Sequence, residues 1–74
     1  MVWFFERETE VLICEIRRAG TSTEYEFEIA SPKGPLNTRR FTSPTELINA
    51  YLLDQSRLRS EGWKPRGPDI AVVV

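Results

Sequence analysis

A chain of 74 residues holds one small domain, and at that size only about 60% of the unfolded surface is buried, enough for a single core. Ten Lys and Arg against eleven Asp and Glu give a net charge of −1, which excludes a polycation that binds through bulk positive charge. One cysteine, Cys14, excludes an intramolecular disulfide, and the lack of histidine removes the commonest general base and metal ligand. Neither a zinc site nor any other cofactor is therefore expected. No apolar run approaches the ~18 residues of a membrane span. The stretch Met1-Val2-Trp3-Phe4-Phe5-Glu6 lacks the basic start of a signal peptide, so a soluble, cytoplasmic protein is expected.

The first thirty residues read as strands. Val2 to Arg7 is aromatic and β-branched, which suits a pleated surface. Val11 to Arg18 and Glu24 to Ala30 follow. In the third run Tyr25, Phe27 and Ile29 alternate with Glu24, Glu26 and Glu28, the period of a half-buried strand. The turn signal between Arg18 and Thr23 predicts an antiparallel hairpin with Ile16 opposite Tyr25, Cys14 opposite Phe27, Leu12 opposite Ile29 and Arg17 opposite Glu24. The turn at Glu8-Thr9 lacks glycine and defines no turn type, but pairing Arg7 with Glu10 puts Trp3 and Phe5 on the face of Leu12 and Cys14.

Residues 31–42 read as a loop, because Pro32, Gly34 and Pro35 crowd into a few positions. Ser43-Pro44-Thr45-Glu46 then offers an N-cap, a first-turn proline and a capping-box glutamate. The predicted helix runs to about Ser60, with Leu47, Tyr51 and Leu58 on its apolar stripe and Ile48 and Gln55 at the margin. Gly62 suits the left-handed position after the last turn, and Trp63 can fold back on Leu58. Residues 1–63 thus form the domain. Residues 64–74 are a breaker-rich connector followed by Ile70-Ala71-Val72-Val73-Val74, which reads either as a fourth, edge strand or as a frayed tail. The expected class is α+β, a three-stranded antiparallel sheet packed on one helix in the order β-β-β-α.

One helix covers one face of the sheet. The other face would carry the acidic residues of the third strand together with Val2, Phe4, Val11 and Ile13, an apolar group suited to contact with a partner or a second copy. The chemistry of the remaining residues is sparse. Cys14 lies on the core face with no histidine to activate it. Glu24, Glu26 and Glu28 line a flat, wet surface, and Trp3 and Trp63 have structural roles. Seven acids against three bases in residues 1–30, and seven bases against four acids in residues 31–74, make the second part basic. Arg39, Arg40, Arg57, Arg59, Lys64 and Arg66 are accordingly candidates for phosphate contact.

Three strands followed by a helix, over roughly residues 2–61, resemble the small DNA-binding domains at the N-termini of some tyrosine integrases, where the sheet enters the major groove. Such a resemblance implies nucleic-acid binding through the sheet, but Glu24, Glu26 and Glu28 on that face would repel phosphate, so no binding residue is carried over. The stretch from Tyr25 to Trp63, with Phe41, Ser43-Pro44-Thr45-Glu46-Leu47 and Gly62-Trp63, also resembles small bacterial single-domain proteins of uncharacterised function, which implies no activity. The sequence reading is a non-enzymatic domain acting through a protein–protein or self-association surface. Weak nucleic-acid binding through the basic part is the alternative.

Overall fold

The computed structural model describes residues 1–20 and 23–66. The elements are β1 (Val2–Arg7), β2 (Glu10–Arg18), β3 (Tyr25–Ser31), β4 (Gly34–Phe41), α1 (Pro44–Ser60) and β5 (Lys64–Arg66). All five strands join one antiparallel sheet in the order β4-β3-β2-β1-β5. The expected α+β class holds, with a larger sheet than the three strands anticipated. The expected edge strand at Ile70–Val74 lies outside the described residues. Lys64–Arg66, read as connector, instead pair with β1.

The first hairpin has the expected register, Arg7 opposite Glu10 and Phe5 opposite Leu12. Its tight turn is made without glycine, by Glu8 at φ 55. In the second hairpin the expected faces are right and the register is offset by two residues. Ile16 lies opposite Phe27, Cys14 opposite Ile29 and Arg17 opposite Glu26. A shift of two keeps every side chain on its own face, so alternation alone does not distinguish the two pairings.

Residues 31–42 are not a loop but the turn and second strand of a third hairpin. Pro32 and Lys33 make the turn, and Ser31 Oγ accepts a hydrogen bond from the Lys33 N–H at 3.1 Å. Pro35 is tolerated because β4 is an edge strand, whose outer side needs no donor. The ladder passes from Ile29–Asn37 to Ala30–Pro35, leaving Leu36 as a bulge.

Helix α1 starts as expected, with the Glu46 N–H donating to Ser43 Oγ and Pro44 in the first turn. It ends in a Schellman motif. The Trp63 N–H donates to the Leu58 carbonyl at 3.0 Å and the Gly62 N–H to the Arg59 carbonyl at 3.1 Å, with Gly62 at φ 94. The guanidinium of Arg7 lies over the Trp63 ring and donates to the Glu61 carbonyl at 2.9 Å, tying the helix end to β1. The core sits between α1 and one face of the sheet: Phe5, Leu12, Cys14, Phe27, Ile29, Leu47, Leu58 and Trp63.

Two substitutions test this packing by urea unfolding. Phe5→Ala, at a fully buried ring, is expected to cost about 3–5 kcal/mol. Gly62→Ala places a Cβ in the left-handed region and near the Arg7 side chain, and about 1–2 kcal/mol is expected. A Gly62→Ala variant as stable as the parent would contradict the assigned helix ending.

Candidate functional site

The pleat and the registers decide what lies on the sheet face away from α1. Phe4 stands opposite Ile13, and Ile13 opposite Ala30, so one row of the ladder is apolar across three strands. Val2 and Val11 extend that row along β1 and β2. The four residues anticipated from the sequence therefore form one patch. Ala30 completes it; its position two residues beyond Glu28 on the alternating strand is the signal that could have found it. Among the described residues no element covers this patch. Val2 is 50% and Phe4 39% exposed, whereas Phe5 on the opposite face is fully buried.

The patch has charged neighbours on two sides. Toward β3 and β4, Arg17 contacts Glu15 at 2.9 Å, Glu26 at 2.7 Å and Glu28 at 3.0 Å. The hydrogen bond that Arg17 donates to Glu28 is the largest influence raising its pKa, opposed by desolvation and reinforced by the charges of Glu26, Glu28 and Glu15. Arg40 contacts Glu26 at 3.0 Å and Glu24 at 3.5 Å. Four glutamates around two arginines leave this corner acidic. Toward β5, Lys64 and Arg66 lie opposite Glu6 and Phe4, and Arg66 reaches Glu6 at 3.7 Å. That edge is basic.

The structure does not gather the six basic candidates into one surface. Arg39 points under α1, where it pairs with Asp54 and stacks over Phe27 at 5.0 Å. Arg40 is on the far face at the β4 edge, with Lys64 and Arg66 four strand spacings away, about 19 Å. Arg57 and Arg59 are exposed on the helix, and Arg57 pairs with Glu61 at 3.3 Å.

A sequence reading misses the Arg39–Asp54 pair. Asp54 retains only 13% side-chain exposure against 36% for Arg39, so the carboxylate is mostly removed from water and depends on the arginine. A shallow cavity of about 470 Å³ lies at the end of the sheet bearing the two tight turns, lined mainly by Leu12, Leu36, Pro32 and Trp63. Its ionisable groups are Glu10 and Lys33, and Glu10 is held by Arg7 at 3.0 Å. Cys14 is buried, and desolvation, with the charge of Asp54 adding to it, pushes its thiol up to about 11. No protein-family model matches the chain, and no curated protein or solved structure matches it either.

Two measurements follow from this geometry. Asp54→Leu strands Arg39 and is expected to cost about 1–2 kcal/mol, while Arg39→Met combined with Asp54→Leu costs less than the sum of these two changes made singly. Additive costs would contradict the pairing. The unfolded Cys14 thiol titrates near 9.0 and the folded one near 11. Rising pH therefore deprotonates the unfolded chain first, and the Cys14 contribution to stability, intact below about pH 9, declines above it. Thiol-reagent labelling at pH 8 should be slow in the native protein and fast in urea. Equal rates would place Cys14 at the surface.

Proposed function

We propose that the chain is a non-enzymatic protein–protein interaction module whose docking surface is the helix-free face of the sheet, centred on Val2, Phe4, Val11 and Ile13. One observation carries this reading: a phenylalanine that stays 39% exposed belongs to a contiguous apolar patch on the face opposite the core. Ordered strands hold the patch in a fixed shape, and charged residues bound it on two sides, which is the layout of an apolar interface centre with a polar rim. The buried cysteine and the shallow, mostly apolar cavity supply no activated nucleophile or acid–base pair, which favours binding over catalysis. The dispersed basic residues, several already paired with carboxylates, lend no weight to nucleic-acid binding over docking.

Phe4→Lys tests the reading in dilute solution. The variant is expected to fold and to lose clearly less stability than Phe5→Ala, because Phe4 stays 39% exposed where Phe5 is fully buried. Binding of a hydrophobic fluorescent dye should fall several-fold at the same time. A stability loss near that of Phe5→Ala would mean that Phe4 is packed inside the domain and would contradict the proposal.

A further inference from the structure

Resting on the docking reading, we infer that the partner on this face is a second copy of the same chain, stacked face to face about a twofold axis through the Phe4–Ile13 row. Three observations lead there. Both outer strands of the sheet carry proline among the described residues, β4 at Pro35 beside the Leu36 bulge and β5 at Pro65. Proline offers no ladder donor and bulges misalign an edge, so strand-to-strand addition is disfavoured and association through a face of the domain is favoured.

The second observation is the distribution of charge. The acidic corner around Glu15 and Glu28 and the basic edge of Lys64 and Arg66 lie on opposite sides of the apolar patch. A twofold axis in the plane of the interface turns one face over onto the other. With the axis through the patch and set across the line joining the two charged regions, apolar residues meet their own copies. Each basic edge then meets the partner's acidic corner. The face is thus complementary to itself, the property a twofold interface requires.

The third is size. Stacked sheets stand about 10 Å apart with interdigitating side chains. The apolar centre here consists of Val2, Phe4, Val11, Ile13 and Ala30, a small fraction of the roughly 800 Å² per partner of a standard interface. The rest of the contact must be charged. The dimer is therefore weakened by salt and dissociates on dilution.

Sedimentation equilibrium of the full chain, over a concentration series at low and high salt, tests the inference. A monomer–dimer equilibrium that weakens with salt is expected. Ile13→Lys should abolish the dimer while leaving the circular dichroism spectrum unchanged. Arg66→Glu and Glu15→Lys should each weaken dimerisation about tenfold, and the double variant should recover most of the loss, since each reversed charge then faces a reversed partner. Independent losses without recovery would overturn the proposed stacking. A monomer at every concentration would overturn the second copy as occupant. If that monomer binds the hydrophobic dye, the docking reading survives with a different partner. If it excludes the dye and Ile13→Lys unfolds it, the face is covered within the chain, by residues such as 67–74, and both readings fail.

Discussion

A single helix can dry only one face of a sheet. Everything else in this small domain follows from that constraint. Leu47 and Leu58 close over Phe5, Leu12, Cys14, Phe27 and Ile29, and Trp63 seals the end of the layer. The same strands, through the alternation of their side chains, must send every second residue to a face that the helix does not reach. On β3 that face carries glutamates, which water and arginine satisfy. On β1 and β2 it carries valine, isoleucine and phenylalanine, which water does not.

The helix is held at both ends and along one side. Ser43 caps its start, the Schellman turn at Gly62 ends it, and Arg7 ties that ending to β1. Along its flank, Asp54 meets Arg39 of β4, while Tyr51 meets the Trp3 ring edge-on at 5.3 Å over β1. The Arg39–Asp54 pair has a geometric consequence. Arg39 spends its charge inward, covering Phe27 with its planar group. Its neighbour Arg40 spends its charge outward on Glu26 and Glu24. Two adjacent arginines that read as a basic dipeptide in sequence thus serve opposite faces of the sheet.

Much of this was legible in the residues. The alternation in Glu24 to Ala30, the capping sequence at Ser43 and the Gly62-Trp63 ending each report a local geometry with a direct physical cause. So does the apolar patch, because the pleat assigns Val2, Phe4, Val11 and Ile13 to one face whenever Arg7 pairs with Glu10. Strand β4 was hidden for a specific reason. Its core-facing position opposite Phe27 is Arg39, so no apolar alternation marks it, and Pro32, Gly34 and Pro35 announce a loop although an edge strand accommodates them. The offset in the second hairpin has another cause. Alternation fixes the face of a residue, whereas the turn between Ala19 and Glu24 fixes which partner it meets. The Arg39–Asp54 contact joins residues from different elements, and no local signal encodes it.

The central claim is that the helix-free face is open in the lone chain. Side-chain NMR with a soluble paramagnetic agent measures this directly, through the relaxation of the Val2, Val11 and Ile13 methyl groups and the Phe4 ring over a dilution series. The account predicts strong enhancement in dilute solution, well above that of Leu12 and Ile29 on the core face, falling as concentration rises. Enhancement at Phe4 and Ile13 as low as at Leu12 at every dilution would show that the chain covers this face itself, and would contradict the account.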